Sequence, residues 1–250
     1  MHQPTRRTVL VVGASGATGR LLVEELLYRG CQVRAVLRFK ARLPEHLHSH
    51  HNLSVIQANL LDLDDIDLMQ LLDGCDAAAS CLGHNISMKG VFGPPYRLVT
   101  EATRRLTRAF KATAREKPAR FVLMNTAGNR NRDLPEKVTM GHRAVIGMIR
   151  LLIPPHADNE QAADFLRVDI GQNDSTLEWS VVRPDTLTND TESTAYQVFA
   201  SPTRSAVFDP GRTSRLNVAR FMADLLSDDS VWSQWRQQMP VIYDGVKKTQ

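Results

Sequence analysis

Seven residues near the start of the chain, Gly13-Ala14-Ser15-Gly16-Ala17-Thr18-Gly19, separate the continuous run Thr8–Val12 (TVLVV) from a helically spaced stretch at Leu21, Leu22, Glu25 and Leu26. A β-branched run without polar interruption reads as a strand buried on both faces. The helical stretch ends at Gly30, a plausible C-cap. Each glycine has a job in a strand–turn–helix unit. Gly13 permits the tight turn, Gly16 lets backbone approach an anionic group, and Gly19 lets helix and strand pack closely. Peptide N–H groups at the helix start then face the anion, and the helix dipole favours it. The competing reading is a structural turn without a ligand.

The rest of the chain alternates in the same way. Val33–Leu37, Leu53–Ala58, Ala77–Cys81, Phe121–Asn125 and Trp179–Val182 read as strands, the last stopped by Arg183-Pro184. Helices are expected at Asp64–Leu72, Tyr96–Lys117 and Asn159–Ile170. In the second of these, Leu98, Ala102, Leu106, Phe110 and Ala114 form one apolar stripe. Arg215–Leu226 and Asp229–Gln238 are further helices, and Val241–Tyr243 is a last strand. Alternation with crossovers makes a doubly wound parallel sheet the economical α/β fold. The 250 residues are expected to form one domain. The part from about residue 184 to 250 is expected to cap the substrate side, because open α/β sheets bind ligands at the strand carboxyl ends.

A phosphate cradle raises the question of which nucleotide. An NAD site offers an acid ~20 residues after the glycines, for the ribose hydroxyls. Here the second strand ends Leu37-Arg38-Phe39-Lys40-Ala41-Arg42, and Arg38 occupies that place. A guanidinium can pair bidentately with a 2′-phosphate, whereas a carboxylate would repel it. NADP(H) is therefore expected over NAD(H). The alternative is that Arg38, Lys40 and Arg42 form a solvated basic loop.

With these residues in view, the chain resembles an atypical short-chain dehydrogenase/reductase of the NmrA-like, NAD(P)H-binding branch, a Rossmann fold. Gly13–Gly19 matches that branch's GxxGxxG loop, and Arg38 its NADP-type arginine. Ala58-Asn59-Leu60 stands where the family has Gly-Asp-Leu beside adenine. Cys81-Leu82-Gly83 matches the strand end beside the adenosine ribose. Asn125-Thr126-Ala127-Gly128 stands for a Ser/Thr-Ser-x-Gly segment. Trp179–Pro184 matches the strand bordering the nicotinamide, and Thr213–Ala219 the entry to a C-terminal helix. The resemblance implies pyrophosphate contacts from Gly13, Ser15, Gly16, Ala17, Thr18 and Gly19, and adenosine contacts from Asn59, Leu60, Cys81, Leu82 and Gly83. It implies that Asn125, Thr126, Asn159, Arg183 and Pro184 lie at the nicotinamide end.

One departure concerns the chemistry. Hydride-transferring members usually carry Tyr-x-x-x-Lys at the start of the helix after the fifth strand, where Tyr donates a proton and Lys holds the ribose. The register set by Ala162 and Leu166 puts Pro155 at the Tyr position and Asn159 at the Lys position. Proline has no proton to give. A shift by one offers His156 and Glu160, four apart and so on one helix face. His84, just after Gly83, is a second candidate donor, and Thr126 a polar anchor for a substrate oxygen. A Tyr-x-x-x-Lys at Tyr243–Lys247 contains Gly245 and follows the last strand, so it reads as coincidence. Tyr96 reads as a packed first turn.

Other features point to bland roles. His46, His48, His50 and His51 crowd one stretch, but no Cys is near, and Glu45 is too close to His46 in sequence to close a site. No metal is expected. Arg97, Arg104, Arg108, Lys111 and Arg115 give a helix a basic face, read as solvated because interleaved aromatics are missing. The net charge of +4 is too small to indicate nucleic acid. Cys31, Cys75 and Cys81 lack metal-ligand spacing and look like reduced thiols. No apolar run approaches the ~18 residues of a membrane span; Met148–Pro155, among the greasiest, contains Arg150 and two prolines. The N-terminus lacks the apolar middle of a signal peptide, so a cytoplasmic protein is expected, and it is expected as a monomer or homodimer.

Two functions follow from the resemblance. One is an NADP(H)-dependent oxidoreductase acting on a small carbonyl or unsaturated compound. The other is a non-catalytic NADP(H)-sensing regulator that binds a protein partner. Nucleotide-sugar epimerase or dehydratase chemistry is weaker, since it also wants the missing Tyr.

Overall fold

The computed structural model describes residues 7–84, 95–113, 115–136, 154–206 and 208–245. Strand β1 (Thr8–Val12) lies inside the sheet, and its side chains alternate between two apolar layers. Val9 and Val11 enter one layer, Leu10 and Val12 the other, as the period of two demands. Around it the strands run β3 (Leu53–Gln57), β2 (Gln32–Leu37), β1, β4 (Ala77–Ser80), β5 (Ala119–Met124), β6 (Leu177–Pro184), β10 (Val241–Asp244) and β8 (Tyr196–Phe199). Every neighbouring pair is parallel except β10 with β8. A separate parallel ladder joins β7 (Thr186–Thr188) to β9 (Arg212–Ser214). The order 3-2-1-4-5-6 is that of a Rossmann sheet.

Helices cover both faces. On one, α1 (Ala17–Tyr28), α5 (Arg215–Ser227) and α6 (Asp229–Trp235) bury Leu22, Leu26, Phe221, Met222 and Trp232. On the other, α2 (Asp65–Leu72), α3 (Leu98–Ala112) and α4 (Pro154–Asp164) bury Leu68, Leu106, Phe110 and Ala162. Capping fixes several starts. Asp64 and Asp67 form a capping box on α2, Ser214 caps α5 and Asp228 caps α6.

Several boundaries differ from the sequence reading. Helix α3 is shorter than Tyr96–Lys117, because Thr113 turns extended and its Oγ1 donates back to Phe110 O at 2.8 Å. Arg115 leaves the basic face and donates to Cys75 O at 2.6 Å; Ala114 lies outside the described residues. Helix α4 starts five residues before Asn159, since proline is tolerated in a first helical turn. It continues as a π-turn, Phe165–Ile170, which Gly171 closes at φ 74°. Strand β6 runs through Arg183-Pro184, because β10 pairs with it there.

The segment from 184 onward divides. Phe199, Ala206 and Tyr243 pack with Ala127 beyond the end of β5. Helices α5 and α6 instead lie on the sheet face, and Asp229 meets Arg7 and Arg120 at the strands' amino edge. Those two helices therefore do not cap the carboxyl edge. Among the described residues, no helix is long and apolar enough to cross a membrane.

Candidate functional site

A cavity of about 660 Å³ opens at the carboxyl ends of β1, β2 and β4, where the strand order reverses direction. Its size falls within the ~300–1,000 Å³ typical of ligand pockets. Gly13, Ser15 and Gly16 form one wall, Arg38 a second, and Asn59, Leu60 and Asp62 a third. Cys81, Leu82, Gly83 and His84 run along the remaining side.

The glycines do the separate jobs their positions suggest. Gly13 has φ 72°, and a Cβ there would lie 2.6 Å from the Cys81 carbonyl carbon. A Cβ on Gly19 would lie 2.1 Å from Gly13 O, so the first turn of α1 presses directly on the strand end. Gly16 is the N-cap of α1 and supplies no side-chain cap. The first amides of that helix are thus left to a ligand or water. Ala17, Thr18 and Gly19 lie in the helix behind this wall, with Thr18 and Gly19 buried.

Arg38 is exposed at the cavity's rim. Ala41 N donates to Arg38 O at 2.9 Å across a tight turn in which Lys40 takes φ 69°. Asn59 Nδ2 donates to Asp62 Oδ2 at 2.7 Å, and Arg105 of α3 fastens this turn by donating to Leu61 O at 2.7 Å. Burial pushes the Cys81 thiol up to about 12, so it packs as a neutral group at ordinary pH.

Beyond the His84 side of the cavity lies the start of α4. Asn125 Nδ2 donates to the Asn159 carbonyl at 2.9 Å, and Asn125 Oδ1 accepts from Thr126 N at 2.9 Å. Asn125 is thereby buried as a clasp between β5 and α4. Thr126 Oγ1 accepts from Gly128 N at 3.3 Å, and a Cβ on Gly128 would lie 3.4 Å from His156 Cε1. His84 Nε2 lies 2.8 Å from Asp158 Oδ2. The structure thus gathers His84, Asn125, Thr126, His156 and Asn159 around one helix start, although only His84 among them lines the cavity.

Arg183 is placed differently from the expectation. Its side chain is fully buried and its guanidinium pairs with Glu136 at 2.8 Å, so the guanidinium is engaged within the protein rather than turned to a cavity. Pro184 ends β6, and its carbonyl accepts from Ala127 N at 2.8 Å. Tyr243 is buried against Ala127, and Lys247 lies outside the described residues, as do Met148–Ile153. Tyr96 is 57% exposed rather than packed. The histidine stretch disperses: His46 faces Glu24 at 3.5 Å, His48 bonds Leu43 O at 3.1 Å, and His50 stacks on His51. Among the described residues, no three His, Cys, Asp or Glu side chains gather as a metal site. Asp62 and Asp158 escaped the sequence reading. Asp158 sits one position before Asn159, and no periodicity marks a carboxylate that will be buried by a helix from elsewhere in the chain.

A glycine turn at the switch point, an uncapped helix start and a cavity lined as above define a dinucleotide-binding Rossmann protein. The NAD(P)H-binding family model matches residues 13–229, and the chain belongs to that family. Comparison with curated proteins finds no match. Among solved structures, a short-chain dehydrogenase/reductase from Veillonella parvula in complex with NADP is similar, at 18% identity and TM-score 0.64, covering 97% of each chain. An oxidoreductase from Lactococcus lactis has 17% identity and TM-score 0.68, covering 95% of this chain and 91% of that one. An anaerobilin reductase from Escherichia coli has 18% identity and TM-score 0.64, covering 97% and 100%. At these identities the likeness is one of fold.

Proposed function

We propose that this protein is an NADP(H)-dependent oxidoreductase that reduces a small carbonyl or unsaturated compound. The observation that carries the reading is that Arg38 lines the same cavity as Gly13, Ser15 and Gly16. The glycine turn and the amides of α1 would hold the pyrophosphate, and Arg38 the 2′-phosphate. Asn59 and Leu60 would flank the adenine, and Gly83 with Thr126 the nicotinamide side. When bound, the nicotinamide supplies hydride; the protein's contribution is orientation, exclusion of water and a proton. The NADP held by the Veillonella relative and the reductase name of the Escherichia coli one are consistent with this reading.

The test has two parts. Calorimetry is expected to give tighter binding of NADPH than NADH, with the preference lost in Arg38→Ala. NADPH oxidation against a panel of aldehydes, ketones and enones is expected to find turnover. Binding without any turnover favours the second reading, a nucleotide-sensing regulator with a protein partner. Pro155 and Asn159 in α4, at the positions of the usual Tyr and Lys, are the observation behind that alternative.

A further inference from the structure

Asp158 is 1% exposed and sits where α4 meets the start of α3. Its Oδ1 accepts from Thr100 N at 2.9 Å and its Oδ2 from Val99 N at 2.8 Å. These bonds satisfy first-turn amides of α3, whose own N-cap, Arg97, gives no side-chain bond. Capping needs nothing more. Yet the carboxylate takes a third partner, again through Oδ2, His84 Nε2 at 2.8 Å, and His84 is the imidazole that lines the cavity. A carboxylate only accepts, so this contact places a hydrogen on Nε2 and fixes the ring's plane. The Thr100 Oγ1 bond to the Asp158 carbonyl, 2.9 Å, holds the carboxylate's own backbone in place.

We infer that His84 is the proton donor of the reduction and that Asp158 is the residue that positions it. This deepens the oxidoreductase reading and rests on it. The pair would replace the Tyr and Lys that Pro155 and Asn159 cannot supply. Bound NADPH would supply the hydride to the carbonyl carbon and leave as NADP+. The C–O π pair moves onto oxygen, and that oxygen takes a proton from the His84 ring. The Nε2 hydrogen stays with Asp158, and solvent returns the transferred proton to the ring. The net reaction consumes one carbonyl, one NADPH and one proton, and yields one alcohol and NADP+.

The full-length protein is compared with His84→Gln, His84→Ala and Asp158→Asn. Cyclohexenone and nitrobenzaldehyde serve as probe electrophiles. Both His84 variants are expected to bind NADPH within about twofold of the parent and to turn over roughly a hundredfold more slowly, the usual scale of a lost general acid. Added imidazole restores part of the rate of His84→Ala, which a packing role would not permit. Asp158→Asn lowers kcat about tenfold at unchanged KM. In the nucleotide-free protein, proton NMR is expected to show a far-downfield histidine N–H signal that vanishes in His84→Gln. Should Asp158→Asn fail to fold, the His84 variants and this signal decide. Parental turnover in His84→Gln, or no rescue by imidazole, overturns the inference and leaves the oxidoreductase reading standing. A parent protein that binds NADPH but reduces neither probe overturns both.

Discussion

Arg183 and Glu136 form an ion pair of 2.8 Å in which the side chains are 0% and 3% exposed. The guanidinium is otherwise spent on main-chain carbonyls. Its Nε donates to Met239 O at 2.6 Å, Nη1 to Asn129 O at 2.8 Å and Nη2 to Ala200 O at 3.2 Å. Glu136 Oε2 accepts from Asn131 N at 2.9 Å. One side chain of β6 thus ties down the loop that leaves β5 through Asn125 and Thr126.

Removing one partner strands a charge in a dry place. Glu136→Ala is expected to lower the unfolding free energy by about 3–5 kcal/mol, read from urea denaturation. The double variant Arg183→Met with Glu136→Leu removes both charges but strands the main-chain groups they satisfied, so it should recover only part of that loss. If Glu136→Ala unfolds at the parental urea midpoint, the pair is not buried in solution.

Arg38 is the place to test nucleotide choice. Hydrogen bonds to a charged group contribute ~1.5–3 kcal/mol, which corresponds to roughly 10- to 150-fold in affinity. Arg38→Ala should weaken NADPH by about that factor and leave NADH nearly unchanged, because NADH has no phosphate there. Equal losses for both nucleotides in titration calorimetry would mean that Arg38 contacts something common to the two.

These residues also show what could be read before the fold was known. The glycine turn and the parallel α/β sheet were legible because they depend on local rules: β-branched runs, period-two burial and φ > 0 at Gly13. The burial of Arg183 was not legible, because a motif gives an address along a strand but not which way a guanidinium turns. Its partner Glu136 comes from a loop 47 positions away in sequence. Asp158 was missed for the same reason, since its three donors belong to α3 and to the end of β4. Buried polar networks join distant segments, and amphipathic periodicity carries no record of them.

Two glycines with nearly equal φ separate conformational strain from crowding. Gly13 and Gly30 have φ 72° and 77°, but a Cβ meets nothing within 4 Å at Gly30 and the Cys81 backbone at Gly13. Gly30→Ala should therefore cost about 1–2 kcal/mol, the left-handed penalty alone, and leave nucleotide binding intact. Gly13→Ala adds displacement of the chain at Cys81-Leu82, which forms a cavity wall, and should abolish NADPH binding in calorimetry. Nucleotide binding by Gly13→Ala at parental affinity would contradict the close approach.

Acid stability should report on Asp174, which joins α3 to the turn before β6. Burial pushes its carboxyl up, but the Lys111 ammonium at 2.5 Å and the hydroxyl and amide of Thr176 outweigh this and bring it down to about 2. A pKa depressed on folding means the native state binds the proton more weakly than the unfolded chain does. The resulting stabilisation is present above the ordinary value of 3.8 and is lost as pH falls from there through about 2. Lys111 is 43% exposed, so water screens the pair and its contribution is held to about 1 kcal/mol. Asp174→Asn should then melt a few degrees below the parent at about pH 7, with the gap closing by about pH 2. A gap that stays constant across that range would assign the effect to packing rather than to charge.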